Sequence, residues 1–395
     1  LPRLAIVSSH PIQYNAPVFR ALAAYDDLTV HVFFGWRGTE NQVDVEFGRR
    51  IAWDIPLTDG YEYTLVENVA SNPGTHHFMG LRNPEMCEAI ADFQPDALLV
   101  YGWSSWTHLE VLRRFHNRIP VLFRGDSTLL SSDKWWKAAL RKQGLTWVYR
   151  HIDRALYVGR RNREYFGTFG VPPSKLTWAP HSIDFDRFSG GDNLPLHAEA
   201  EAARASLGIS PKSITYLFAG KLVPRKEPEA LIASFLGLLR SRSAPKPHLL
   251  VVGTGPLEAE LRASVAGIGN VHFLGFRNQS EMPMAYRMGD VFVLPSSRET
   301  WGLAVNEAMA CGRVVIVSDR VGCAPDLACD PRFSSIFSSS DPKGLTSAMA
   351  SWARPRSEVL AAGQLARAFI SSWSTEAAAS AIHKAILMEL RRGRA

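Results

Sequence analysis

The stretch SRETWGLAVNEAMACG, residues 297–312, sets two carboxylates eight positions apart, Glu299 and Glu307, with a Trp-Gly-Leu step between them. It follows the apolar run Val291–Leu294, which reads as a strand. A helix is predicted from about Gly302 to Gly312, a glycine well suited to a helix C-terminus. The backbone N–H groups of Trp301, Gly302 and Leu303 are then the open donors of a helix start, able to bond phosphate or sugar oxygens. Gly302 lets a ligand come close to the main chain. Glu307 lies about one turn further on, and its two acceptor oxygens suit a vicinal diol such as a ribose. Glu299, still in the loop, reaches a different part of the same ligand. Two glutamates at this spacing arise often by chance, as a cap and an ordinary helical residue. The preceding strand and the enclosed Trp-Gly-Leu make the pattern specific.

Three further loops carry chemistry. In YLFAGKLVPRKEPEALIASF a strand ends at Ala219-Gly220, and a helix begins near Glu227 or Pro228. Lys221, Arg225 and Lys226 crowd the loop between them, beside the open N–H groups of a helix start, which suits a diphosphate. A basic loop taken alone is about as often plain solvated surface. HLLVVGTGPLEAEL places Gly253-Thr254-Gly255-Pro256 after a strand, but Glu258 stands where a dinucleotide fingerprint needs Gly or Ala. A tight strand-to-helix turn is expected there instead of a cofactor site. In VHFLGFRNQSEMP the strand ends at Gly275, and the backbone of Gly275, Phe276 and Arg277 is placed to meet a nucleobase edge.

These loops need elements to position them. LAIVSS, LTVHVFFG, DALLVYG, PVLFRGD and RALYVG read as strands in the first half; ITYLFAG, PHLLVVG, VHFLG, VFVLPSS and VVIVSD do so in the second. Most are near-continuous apolar runs ending in Gly, Ser or Asp, as in strands buried on both faces of a parallel sheet. Between the two series, SGGDNLPLHAEAEAARASLGISPKS has no strand pattern and predicts a domain boundary near 190–210. A chain of 395 residues fits two α/β domains, each with its own core. Its apolar runs are strand-sized, well short of the roughly 18 residues of a membrane span. Cys87, Cys311, Cys323 and Cys329 show no zinc-type spacing, which leads us to expect a reduced, cytoplasmic setting. A net charge of +6 fits a phosphorylated ligand or an anionic surface and does not call for nucleic acid as a partner.

The ordered set FAGKLVPRKEPEALI, VVGTGP, FLGF and SRETWGLAVNEAMACGRVVIVSD resembles the donor-binding half of GT-B glycosyltransferases, specifically the retaining family 4 group, also described as glycosyl transferases group 1. APHSIDFDRF, residues 179–188, is similar to the family's pre-linker segment, where Asn-Gly-Val-Asp is usual. The likeness covers nearly the whole chain and is most specific over 179–328. It implies an α/β GT-B fold, with two Rossmann-like domains facing across a cleft. On that scheme residues 1–190 hold the acceptor, 191–211 link, 212–370 hold a nucleotide sugar, and 371–395 form a helix crossing back to the first domain. The resemblance also implies catalysis without a metal or other cofactor, since the basic loop and helix dipole neutralise the leaving diphosphate. It places Glu307 on the donor ribose and Glu299 at the sugar, near its hydroxyls or oxocarbenium-like centre. Trp301, Gly302 and Leu303 would offer N–H groups, and Lys226 would meet the diphosphate. Lys221 stands where the family more often has Arg, so a point charge replaces a bidentate fork. Glu227 replaces the usual Gly after Lys226.

The first half departs further from that family. Its first loop, SSHPIQYNAP, lacks the usual glycines, and its middle strand ends VLFRGDS where a His is common. His10, Gln13, Tyr14 and Asn15 are acceptor-site candidates, with His10 also a catalytic one; Arg124 and Asp126 are others, unless they simply pair. A loop histidine bonded to backbone is an equally good account of His10. From Lys134 to Arg163, nine Lys and Arg stand against Asp153 alone, interleaved with Trp135, Trp136, Trp147 and Tyr149. That segment reads either as a helix with its tryptophans in the core or as one resting on the inner face of an anionic membrane. The whole points to a retaining transfer of sugar from a nucleoside diphosphate sugar to a hydroxyl acceptor. A sugar-nucleotide epimerase and a non-catalytic sugar-nucleotide-binding module are the alternatives.

Overall fold

The computed structural model describes residues 1–38, 43–44, 49–50, 52–130, 135–190, 194–241 and 245–392. The chain forms two compact units: Leu1–Asn41 with Pro56–Ser182 and Thr375–Ala395, and Gln42–Ile55 with Ile183–Ser374.

Strands β1 (Arg3–Ser8) and β2 (Thr29–Phe34) precede a short antiparallel pair, β3 (Val43–Asp44) with β4 (Arg49–Arg50). Then come β5 (Glu62–Leu65), β6 (Ala97–Tyr101), β7 (Val121–Arg124), β8 (Arg154–Tyr157) and β9 (Leu176–Trp178). Helices α1 (Ala16–Ala23), α2 (Met86–Asp92), α3 (Trp106–Phe115), α4 (Trp135–Tyr149) and α5 (Arg160–Thr168) lie between them. The first unit's sheet runs β5-β2-β1-β6-β7-β8-β9, with every neighbouring pair parallel. In β1, Leu4 and Ile6 enter one core layer while Ala5 and Val7 enter the other, so the period-two pattern is apolar on both faces.

The β3–β4 pair belongs to the second unit, which continues with α6 (Phe185–Ser189) and α7 (Leu194–Ser206), followed by β10 (Thr215–Ala219), α8 (Pro228–Ser241), β11 (His248–Val252) and α9 (Glu258–Ser264). It continues through β12 (Val271–Gly275), α10 (Met282–Met288), β13 (Val291–Leu294), α11 (Leu303–Ala310), β14 (Val314–Ser318) and α12 (Ala324–Leu327). β15 (Ser334–Phe337), α13 (Gly344–Ser351) and α14 (Arg356–Ile370) complete it, and α15 (Thr375–Arg392) belongs to the first unit. Its parallel sheet runs β12-β11-β10-β13-β14-β15. In both sheets the strand order reverses beside the unit's first strand, between β1 and β6 and between β10 and β13. Ligands of such sheets bind at the carboxyl ends of the strands at that reversal.

The segment expected as a linker over 191–211 instead contributes a docked helix, and the unit boundary falls at Ser182–Ile183. Arg204 of α7 is buried and donates to the carbonyls of Met288 and Ser213 at 2.8 Å and to Asp290 at 3.1 Å. Asp290 also takes the N–H of Thr215 and the guanidinium of Arg356, so a buried ion cluster fixes α7 to the second unit. The ends of the long segment 183–374 run side by side, since Ile183 and Ser374 form an isolated parallel bridge. In the first unit α15 packs on α1, burying Ala378, Ile382 and Ile386. Its Glu389 accepts from Arg154 of β8 at 2.5 Å, a pair in which both side chains are buried.

Candidate active site

In the second unit the strands flanking the reversal carry the two loops that the sequence singles out. After β10, Pro224–Lys226 forms one turn of 3-10 helix, and Glu227 takes a left-handed conformation at φ 54° before Pro228 starts α8. A glycine at that position would supply the same geometry without strain. The carbonyl of Arg225 accepts from the N–H of Ser297 at 3.0 Å and from its hydroxyl at 3.3 Å. This stitch joins the loop after β10 to the loop after β13, and Lys226 Nζ makes a direct ion pair with Glu299 Oε2. Their side chains are 15% and 19% exposed, so the pair is only partly screened by water. Lys221, Arg225 and Gly220 stay partly exposed around it.

Glu299 is held by its backbone as well. Its N–H donates to Arg320 O at 3.2 Å and its carbonyl accepts from Gly322 at 3.0 Å; Trp301 O accepts from Cys323 at 3.0 Å. A Cβ at Gly322 would lie 1.7 Å from the carbonyl oxygen of Thr300, so this ladder requires glycine. The Trp301 side chain is buried, donates its indole N–H to Asn306 at 3.0 Å and packs against Trp373 at 5.3 Å. Gly302, at φ 101°, caps α11. Among the described residues no acceptor meets the N–H groups of Gly302 or Leu303, which leaves the positive end of the helix open to an anion. Glu307, expected to face the ligand, is 3% exposed, and Oε2 accepts from the hydroxyl of Tyr286 at 2.6 Å.

The Gly-Thr-Gly turn is a packing device. Gly253 sits at φ 123°, and a Cβ there would lie 1.9 Å from Gly220 O; one on Gly255 would lie 2.5 Å from Leu222 O. Gly253 donates to Gly275 O at 2.8 Å, and Leu222 to Thr254 O at 2.9 Å, so three strand ends are bonded together. Gly275 takes φ 70°, Phe276 is partly exposed, and Arg277 pairs with Glu281 at 2.8 Å.

In the first unit His10, Gln13, Tyr14 and Asn15 occupy the loop after β1, at that sheet's reversal. His10 Nδ1 is 2.9 Å from Ser9 Oγ, its ring lies edge-on to Trp36 at 5.5 Å, and burial pushes its pKa down to about 4. It is therefore neutral at pH 7. Asn15 occupies the cap position of α1, with Gln13 and Tyr14 partly exposed before it. Arg124 is buried and donates to the carbonyls of Ala179 at 2.9 Å and Pro180 at 2.7 Å, which fixes the chain after β9. Asp126 adds a nearby negative charge to Arg124, whose guanidinium bonds go to the backbone. Tyr286 and Gly322 were not legible as site residues, because each acts on Glu307 or Glu299 from a separate stretch of sequence; Asn306 lies inside the quoted stretch, but its bond to the Trp301 indole is not visible in the spacing.

The family described as "Glycosyl transferases group 1" matches residues 199–385, and a "Glycosyl transferase 4-like domain" matches residues 17–180. The D-inositol 3-phosphate glycosyltransferase of Geodermatophilus obscurus is 31% identical over 368 residues, covering 84% of this chain and 77% of that protein. The chain belongs to the group 1 glycosyltransferases. This glycosyltransferase is also 29% identical to D-inositol 3-phosphate glycosyltransferase 2 of Catenulispora acidiphila over 192 residues, 46% of the chain and 43% of the relative. Among solved structures it resembles sucrose-phosphate synthase from Thermosynechococcus elongatus, with a TM-score of 0.74, 19% identity and 100% of each chain covered. HepE of Anabaena, crystallised with UDP, gives a TM-score of 0.72 at 14% identity, covering 98% of this chain and 100% of that one. The glycosyltransferase has the GT-B fold.

Proposed function

We propose that this glycosyltransferase takes its sugar from a nucleoside diphosphate sugar and passes it to a hydroxyl acceptor with retention at the anomeric carbon and without a metal ion. The observation that carries the proposal is the Lys226–Glu299 pair, set at a sheet reversal beside the open start of α11. A donor entering there exchanges partners: its diphosphate takes Lys226 and the N–H groups of Gly302 and Leu303, and its sugar takes Glu299. Each charge keeps an opposite partner throughout. As the bond from anomeric carbon to phosphate oxygen breaks, Lys226 and the helix dipole stabilise the growing negative charge, and Glu299 faces the positive charge on the sugar. The acceptor hydroxyl attacks from the same face and gives its proton to the departing phosphate oxygen, so no protein nucleophile is needed. Glu307 receives the ribose hydroxyls, and the backbone at Gly275–Arg277 meets the base. Neutral His10 with Gln13, Tyr14 and Asn15 orients the acceptor.

The complexes of HepE with UDP and with UDP-glucose support the donor class, and the inositol phosphate relatives support a hydroxyl acceptor. A thermal-shift panel of nucleoside diphosphates and their sugars tests it, because ligand at a hundred times its Kd adds about 2.7 kcal/mol. No shift with any member would sink the donor site. Turnover should survive excess EDTA; activity lost to EDTA and restored by Mg²⁺ or Mn²⁺ would count against Lys226 and the helix as the neutralising groups.

We also propose that α4 rests on anionic lipid. Leu145, Val148 and Tyr149 are buried, but Leu140 is 64% and Trp147 is 41% exposed, seven residues apart on one stripe with Lys142 and Arg150 exposed nearby. The side chains of Trp135 and Trp136 lie outside the described residues. No described helix is long and apolar enough to cross a membrane. Vesicles with anionic lipid should bind the enzyme in a salt-sensitive way that Leu140→Ser with Trp147→Ser weakens; equal binding to neutral vesicles, or none, contradicts the proposal.

A further inference from the structure

Tyr286 lies on α10, five residues before β13, and its side chain is fully buried. Phe188 and Phe292 hold its ring nearly edge-on, at 6.0 Å and 5.7 Å, which limits where the hydroxyl can point. It points at Glu307 and donates to Oε2 at 2.6 Å. Glu307 is itself almost enclosed, on the second turn of α11. Rotation about the last bond of a glutamate is soft, so a carboxylate left to itself presents its oxygens in many planes. A rigid buried donor on one oxygen removes that freedom. A carboxylate accepts about four hydrogen bonds, and a diol uses two of them.

We propose that Tyr286 is the positioning residue for the donor's ribose, and through it a determinant of specificity for ribonucleotides over nucleotides lacking the 2′- and 3′-hydroxyls. This rests on Glu307 being the ribose contact. Tyr286 touches no ligand atom; it fixes the carboxylate plane so that the two hydroxyls are received as a pair. A site built to bond hydroxyls rejects an analogue without them strongly, because buried polar groups are then left unpaired. Removing Tyr286 Oη loosens that demand while leaving the phosphate and base contacts in place.

Calorimetry with UDP, GDP and ADP, each beside its 2′,3′-dideoxy form, tests the proposal on the full-length enzyme. The wild type should favour the ribose form of whichever nucleotide it binds. Tyr286→Phe should weaken that form about 10-fold, the scale of one hydrogen bond to a charged group, and leave the dideoxy form unchanged. With the sugar donor, KM should rise by the same factor at nearly constant kcat. Glu307→Ala should abolish the preference, and adding Tyr286→Phe to it should change nothing more. Should Tyr286→Phe not fold, 3-fluorotyrosine at 286, a stronger donor of similar volume, should tighten the ribose form about 2-fold relative to the dideoxy form. A preference undiminished in Tyr286→Phe, equal weakening of both forms, or a ratio unmoved by fluorination overturns the positioning role. A wild type that binds both forms alike overturns the assignment of Glu307 itself.

Discussion

Glu307 is buried and bonded to a neutral hydroxyl, whereas Glu299 is partly exposed and paired with a cation. A ribose contact is made equally before and during bond breaking, so Glu307→Ala should raise KM and change kcat little. A carboxylate facing charge that develops at the anomeric carbon acts mainly in the transition state. Glu299→Gln should then lower kcat by about 10²–10³. Calorimetry with the nucleoside diphosphate separates them: the Glu299 variant binds nearly normally and the Glu307 variant poorly, and equal losses would refute the division of roles. Beside them, Glu227 holds a left-handed backbone that costs an L-residue about 1–2 kcal/mol. Glu227→Gly should therefore stabilise the protein by about 1 kcal/mol, a Tm gain of roughly 2–4 °C for a unit of this size. A Tm that stays level or falls would show that the Glu227 side chain compensates the strain. The loop residues were legible because a cation or carboxylate after a buried strand has few structural uses. Tyr286 was not, since an aromatic amid apolar residues reads as core and its partner lies 21 positions on. The burial of Arg124 was hidden for the same reason: its carbonyl partners are 55 and 56 residues away.

Helix α15 is the element whose placement depends most on distant partners. Its buried alanines and isoleucines contribute apolar area, and Arg154 with Glu389 adds an ion pair shielded from water. Removing one partner of such a pair strands the other, at a cost of about 3–5 kcal/mol. Glu389→Ala should lower the urea midpoint, and hydrogen exchange should show lost protection in β8 and β9, where Arg154 and its second partner Thr177 lie. Protection lost only within α15 would mean that Arg154 finds another acceptor. Strands buried on both faces were readable as apolar runs, but β5, β9 and β15 were not. Each is three or four residues long, sits at a sheet edge and is partly exposed, so it carries little apolar signal. The helix α7 hid behind a linker-like composition. Nothing local marks Arg204 as buried, because Asp290 completes its ion cluster from 86 residues away.

At the scale of the whole molecule, acid should be destabilising. His108 is buried in the first unit with Nδ1 on Ser105 Oγ at 2.5 Å and no partner for Nε2 among the described residues. Burial pushes its pKa down to about 4 from 6.5, and His10 and His181 are lowered in the same direction. Between those values the unfolded chain binds a proton that the folded one refuses. Stability therefore falls as pH drops from 6.5 toward 4, by on the order of 3 kcal/mol for His108 alone. Urea midpoints from pH 7.5 to 4.5 should decline less steeply in His108→Gln than in the wild type, and parallel slopes would exclude His108 as a source. The same large-scale view gives a practical use to the bridge between Ile183 and Ser374. Adjacent strands lie about 4.8 Å apart, so the continuous piece 183–374, which carries Lys226, Glu299, Tyr286 and Glu307, begins and ends almost at one point. A segment with adjoining ends can be spliced into a surface loop of an unrelated host without prising that loop open. Placed within a fluorescent protein, it would be the sensing cassette of a genetically encoded reporter for sugar nucleotides.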